Sequence, residues 1–170
     1  NSGKNIEAKS LISGDSVYQK SKSAKALQTW KLTHVGNGYY SIKCNTSSAC
    51  LEVKDGSTLN NASIQVGLYN GADKQLWKII RNWDGSYRIL SKVSGTLKGL
   101  SVSGSSTSDQ AAIVQYTHTN NFSTQDDWTL LPTVKGTASL FGFTTDVGGV
   151  DTNSTLNLIK SFVSNMGYST

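Results

Sequence analysis

The segment Gln28-Thr29-Trp30-Lys31-Leu32 returns as Gln75-Leu76-Trp77-Lys78-Ile79, and a looser copy stands at Gln125-Asp126-Asp127-Trp128-Thr129-Leu130. The tryptophans are 47 and 51 positions apart. A repeat of this length constrains the fold more than local propensity does, because each copy is one supersecondary unit that cannot bury its apolar face alone.

Further shared elements fill each unit. Asn5-Ile6-Glu7-Ala8 matches Cys50-Leu51-Glu52-Val53 and Gly99-Leu100-Ser101-Val102. Ser16-Val17-Tyr18-Gln19 matches Ser63-Ile64-Gln65-Val66 and Ala112-Ile113-Val114-Gln115, and Gly38-Tyr39-Tyr40-Ser41-Ile42-Lys43 matches Gly85-Ser86-Tyr87-Arg88-Ile89-Leu90. These segments alternate with period two, and turns such as Asp55-Gly56-Ser57 and Ser103-Gly104-Ser105 separate them. The expectation is an all-β chain of three four-stranded units closed around a pseudo-threefold axis, which removes exposed sheet edges. The repeated tryptophans read as core anchors. The first unit has no counterpart of Tyr39 to Lys43, so its first strand is missing, either cut away or replaced by another segment.

Composition fits this reading. The chain is 36% hydrophobic and 16% charged, with 16 glycines and one proline, so Ser, Thr, Asn and Gln carry its polarity, as in extracellular β proteins. It has no apolar run of about 18 residues and no basic-then-apolar start, so neither a membrane span nor a retained signal peptide is expected, and the chain reads as secreted. Net charge is +5, with Lys4, Lys9, Lys20, Lys22, Lys25 and Lys31 gathered near the N-terminus. Lysines alternating with Ser and Ala make a solvated face, and no nucleic-acid motif accompanies them.

Cys44 and Cys50 are too far apart for a redox CxxC motif and too few for a zinc site. A disulfide closing a hairpin loop is the preferred reading and would place the chain in an oxidising compartment, with two buried thiols as the alternative. No metal or cofactor is expected.

The Q-x-W endings, the strand Cys50-Leu51-Glu52-Val53 where Cys-Leu-Asp-Val is usual, and the unit length together make residues 1–132 resemble a ricin B-type lectin domain. The resemblance implies a β-trefoil that binds glycans. In that family each unit carries a shallow pocket made by the strand acid, an aromatic residue, an asparagine and the Gln of Q-x-W. Carried over to the second unit, these are Glu52, Asn70 and Gln75, with Gly67 at the aromatic position and Tyr69 as its substitute. In the third unit Tyr116 is the aromatic, His118, Asn120, Asn121 and Gln125 lie near it, and Ser101 replaces the acid with a weaker partner. The first unit keeps Glu7 and Gln28 but has Lys20 and Ser23 at the other two places, so its pocket is expected to be inactive. Weak pockets of this kind need several sites or tethering. His118 reads as a turn histidine and Asp126-Asp127 as a solvated turn, leaving no catalytic residue.

Residues 133–170 depart from the repeat. Thr137 to Thr144 reads as a strand, Asp146 to Gly149 as a loop, and Leu156, Ile159, Val163 and Met166 as one face of a helix capped by Asp151, Thr152 or Asn153 and ended by Gly167. This strand-loop-helix extension looks like the start of a separate α/β domain. Its residues 138–168 would pack on a second polypeptide or a missing catalytic domain, and it loosely resembles the opening of caspase-like cysteine peptidases. Three functions follow as expectations. The first is non-catalytic glycan binding that directs an attached secreted enzyme to a glycan surface. The second is the N-terminal fragment of a processed peptidase whose catalytic residues lie on another chain, and the third is a trefoil used for protein contact.

Overall fold

The computed structural model describes residues 2–23, 25–44, 47–118, 125–131, 137–140 and 143–146; the expected helix, Asn120 and Asn121 lie outside them. The chain divides into two compact units, Asn1–Leu130 and Leu131–Thr170. Among the described residues no helix is long and apolar enough to cross a membrane.

The first unit is built from β1 (Asn5–Ala8), β2 (Val17–Lys20), β3 (Trp30–Gly36), β4 (Tyr39–Cys44), β5 (Ala49–Val53), β6 (Ala62–Leu68), β7 (Trp77–Arg81), β8 (Tyr87–Ser91), β9 (Lys98–Val102) and β10 (Ile113–Thr117). One sheet runs β3-β4-β5-β6-β10-β9-β8-β7 and closes on itself where β4 also pairs with β7 through Tyr39↔Lys78 and Tyr40↔Trp77. The β1–β2 hairpin joins it through the bridges Ser16↔Gln65 and Tyr18↔Ala112, and Trp128 bridges to Tyr87. The described part of the first repeat therefore supplies three strands, β1 to β3.

Threefold closure is written in the backbone. The N–H groups of Gly14, Asn61 and Gln110 donate to the carbonyls of Val66, Gln115 and Gln19, each at 2.8 Å, so every repeat clasps another in a cycle. All three donors are left-handed, with φ of 93°, 62° and 65°, although only Gly14 adopts that conformation without a steric penalty. Two of the accepting residues also brace the cycle with their side chains. Gln19 Nε2 donates to the carbonyls of Ser106 (2.8 Å) and Ser108 (2.7 Å), and Gln115 Nε2 donates to those of Ser57 (3.0 Å) and Leu59 (3.1 Å). Val66 holds the third such place.

The core follows the same symmetry, with Val17, Ile64 and Ile113 in one set and Ala8, Val53 and Val102 in another. Trp77 is fully buried, and Trp30 and Trp128 pack half-buried against the cluster. A buried indole N–H needs an acceptor. It finds one at the same place each time, because Trp30, Trp77 and Trp128 donate to the carbonyls of Ile6 (3.0 Å), Leu51 (3.3 Å) and Leu100 (3.0 Å). This architecture is the β-trefoil.

Two expectations are corrected. Cys44 and Cys50 are not joined. In the β4–β5 pairing Lys43 stands opposite Cys50, so Cys44, one residue further, projects from the other face of the sheet. Cys44 lies in the core while Cys50, also buried, faces away from it opposite Gly67, and side chains on opposite faces cannot form a disulfide without backbone movement. The argument for an oxidising compartment falls with that bond. In the second unit, Thr137 to Thr144 is not one strand. It is a hairpin of β11 (Thr137–Leu140) and β12 (Phe143–Asp146), with Leu140 opposite Phe143.

Candidate functional site

Strand register places the candidate residues. Glu7 pairs with Tyr18 and Asn5 with Lys20; Glu52 pairs with Gln65 and Cys50 with Gly67; Ser101 pairs with Val114 and Gly99 with Tyr116. Residues two apart share a face, so each repeat sets these four positions on the side of its hairpin away from the core.

In the second repeat Glu52 is 4% exposed and fully engaged. Its Oε1 accepts from Gln65 Nε2 at 2.8 Å and Lys74 Nζ at 3.0 Å, and its Oε2 accepts from Gln75 Nε2 at 2.8 Å. Burial works to raise the carboxyl pKa, but the hydrogen bonds from Gln65, Gln75 and Lys74, with the lysine charge, outweigh it and hold the group below its ordinary value. Gln75 then ties down the loop after β6: its Nε2 also donates to Leu68 O (2.9 Å), while its Oε1 accepts from the backbone N–H of Asn70 (2.8 Å) and Gly71 (3.2 Å). Asn70 Oδ1 accepts from Ala72 N at 3.0 Å, which fixes an Asx turn. A Cβ at position 67 would lie 2.2 Å from Glu52 Oε2, so a side chain there would require Glu52 to move out of its brace. The longer acid thus lies across the place where the family carries its aromatic residue. Tyr69 stands beyond, with Lys43 Nζ 3.5 Å from its ring centroid.

The first repeat has the same brace. Gln28 Nε2 donates to Glu7 Oε2 (2.6 Å) and Ser21 O (3.0 Å), while Gln28 Oε1 accepts from Ser23 N (2.8 Å) and Asn5 Nδ2 (3.0 Å). Tyr18 Oη donates to Glu7 Oε1 at 3.1 Å, and Lys20 turns toward Asp109 at 3.5 Å.

The third repeat differs in a way the Q-x-W reading missed. The buried residue two before Trp128 is Asp126, in the place of Gln28 and Gln75, while Gln125 is half-buried and accepts from Ser105 Oγ. Asp126 is therefore no solvated turn residue, being 6% exposed with Oδ2 2.5 Å from His118 Nδ1. Nor is His118 an open turn histidine. Arg88 Nη1 contacts its Nε2, and a guanidinium can only donate, so Nε2 accepts and the ring proton sits on Nδ1 facing Asp126. Ser101 and Asp126 exchange the chemistry seen in the other repeats: the strand loses its acid and the Q-x-W position gains one. Tyr116 remains half-buried opposite Gly99 on the same face as Ser101. The signal for Asp126 was legible as a count, because Gln125 stands three residues before its tryptophan whereas Gln28 and Gln75 stand two before theirs. Nothing in the sequence singled out Gln65, Lys74, Lys43 or Arg88.

A closed threefold barrel with acid-glutamine braces under its hairpins defines a lectin-type β-trefoil. The model of the ricin-type beta-trefoil lectin domain-like family matches residues 26–116, more than half of the chain, and the chain belongs to that family. Among solved structures it is similar to the designed 3-fold symmetric protein ThreeFoil, at 33% identity and TM-score 0.73 over 78% of this chain and 93% of that one. It is also similar to an exo-beta-1,3-galactanase from Clostridium thermocellum, at 30% identity and TM-score 0.70 over 76% of this chain and 28% of that one. The Polyporus squamosus lectin shares the fold at 18% identity and TM-score 0.63, over 75% of this chain and 44% of that one. No curated protein matches the chain.

Proposed function

We propose that this chain is a non-catalytic glycan-binding module whose second and third repeats carry the sugar contacts and whose role is to hold an attached enzyme at a glycan surface. One observation carries the reading. The β9–β10 register sets Tyr116, half-buried, on the same face as Ser101, with His118 held by Asp126 and Arg88 just beyond the strand end. A pyranose needs an aromatic face for its apolar side and fixed polar groups for its hydroxyls; Tyr116 offers the first, and Ser101 with the Asp126–His118–Arg88 chain offers the second. Asn70 and Gln75 give the second repeat a fixed loop of the same kind, and Tyr69 gives it an aromatic ring. Gln125 and Asn121 complete the proposed set; Asn121 lies outside the described residues. The galactanase supports the tethered role, since the part of it that this trefoil matches is 28% of an enzyme chain.

The test is isothermal titration against a panel of neutral and charged oligosaccharides. Binding of at least one sugar is expected. Tyr116→Ala should remove the part of it owed to the third repeat without moving the melting temperature, and a chain that binds no oligosaccharide would end the proposal.

A further inference from the structure

The second-repeat pocket has lost what a neutral sugar would use and gained something else. A neutral hydroxyl needs an acceptor, yet both oxygens of Glu52 are occupied by Gln65, Lys74 and Gln75 beneath the surface. Two cations, Lys43 and Lys74, stand beside the pocket. Lys43 lies opposite Cys50, so it shares a face with Cys50 and Gly67, and its ammonium rests on the Tyr69 ring. Among the described residues Lys43 forms no salt bridge. The Lys74 side chain is 31% exposed and gives Glu52 one of three N–H donors, leaving two. Lys43 reaches the Tyr69 ring, while Lys74 reaches Glu52, whose Oε2 lies against Gly67, two residues before Tyr69. Gly67 adds no side chain of its own beside Glu52.

We propose that the pocket framed by Lys43, Tyr69 and Lys74 over Gly67 takes a negatively charged sugar, one bearing a carboxylate or a sulfate ester, with its anion set between the two ammonium groups. This rests on the glycan-binding reading and narrows it for one repeat. An anion there makes charge-assisted hydrogen bonds to Lys43, which has no salt-bridge partner among the described residues, and to the two N–H groups of Lys74 not given to Glu52, and the Tyr69 ring backs the sugar. Such binding weakens as salt screens the exposed charges.

Isothermal titration of the full chain with three probes tests this: a tetragalacturonate, a sulfated galacto-oligosaccharide and an uncharged galactotetraose, each at low and high salt. At low salt at least one charged probe should bind roughly tenfold tighter than the neutral one, the gain of about one charge-assisted hydrogen bond. Which charged probe wins separates carboxylate from sulfate recognition. Lys43→Gln and Lys74→Gln should each lower the preference, and Lys43→Gln, made at a side chain outside the brace, should fold and melt as the parent does. Equal affinity for charged and neutral probes overturns the proposal, as does a preference that survives both substitutions, which would report only the overall positive charge. If neutral binding that depends on Tyr116 persists alongside either result, the lectin reading stands and this one alone falls; no binding of any probe removes both.

Discussion

His118 Nδ1 and Asp126 Oδ2 lie 2.5 Å apart, joining the end of β10 to the segment that enters Trp128. In the other repeats that tie is made by a glutamine reaching backbone groups; here it is made by a carboxylate reaching a ring. The Asp126 side chain is 7% exposed, and among the described residues its Oδ1 has no hydrogen-bond partner, so there His118 carries the whole contact.

Asp126→Ala should therefore cost about 2 kcal/mol, the value of a charge-assisted hydrogen bond whose donor is left partly buried. Asp126→Asn, which keeps an oxygen facing Nδ1–H, should cost less. Urea unfolding of the two variants checks the order, and equal losses would mean that packing rather than the hydrogen bond holds the segment. Nitrogen-15 shifts of the His118 ring should report the proton on Nδ1, since Arg88 occupies Nε2 as a donor.

Gln110 offers a gain in stability. It is exposed, its φ is 65°, and its N–H closes one of the three clasps between repeats. Gly14, which serves another clasp, shows what that position accepts: a Cβ built there meets nothing within 4 Å, so the burden on Gln110 is conformational and not a clash. Gln110→Gly should raise stability by up to about 1 kcal/mol, because relief of left-handed strain of roughly 1–2 kcal/mol exceeds the extra freedom glycine gains when unfolded. A fall in melting temperature would show that the side chain contributes more than its exposure suggests.

The repeat of Trp30, Trp77 and Trp128 was enough to read three units and a shared core, because a large apolar residue that recurs at fixed phase among apolar neighbours marks the same core position three times over. The acid and glutamine of the first two repeats were legible in the same way. What the sequence hides is direction. Cys44 and Cys50 look like a loop staple when counted along the chain, and only the pairing of Lys43 with Cys50 shows that the two thiols leave the sheet on opposite sides. Gln125 has the right identity at the wrong spacing, and burial chose spacing over identity by placing Asp126 inward. Lys43 and Lys74 come from β4 and from the turn before β7, and no linear motif joins them.

The buried Cys50 thiol should be inert. Burial, reinforced by the neighbouring Glu52 charge and only partly offset by Lys43 and Lys74, pushes its pKa up to about 12. The thiolate is the reactive form, so at pH 8 almost none is present, and the folded protein should resist alkylation at Cys50 until it is denatured. Mass spectrometry before and after unfolding reads this directly. The same spectrum tests the unjoined pair, since alkylation of both cysteines under non-reducing, denaturing conditions requires that no bond links them.

Glu52 gives the fold a dependence on acid. Its pKa is depressed in the folded chain, so the folded state binds the proton less readily than the unfolded one does. The stabilisation is therefore complete above the ordinary glutamate value of about 4.3 and is lost as pH falls through the lower folded value. Glu52→Gln, close in shape, keeps one acceptor but removes the charge that Lys74 and Gln75 point to. At pH 7 the variant should lose about 2 kcal/mol, the worth of hydrogen bonds to a charged acceptor, since the Lys74 left behind is partly exposed. Below the folded pKa the parent carries a neutral carboxyl and the gap between the two proteins should narrow. Denaturation curves of both proteins from neutral pH down to the acid limit of folding provide the check: a gap that stays constant with pH would mean that Glu52 contributes by shape alone, with Gln65, Lys74 and Gln75 indifferent to its charge.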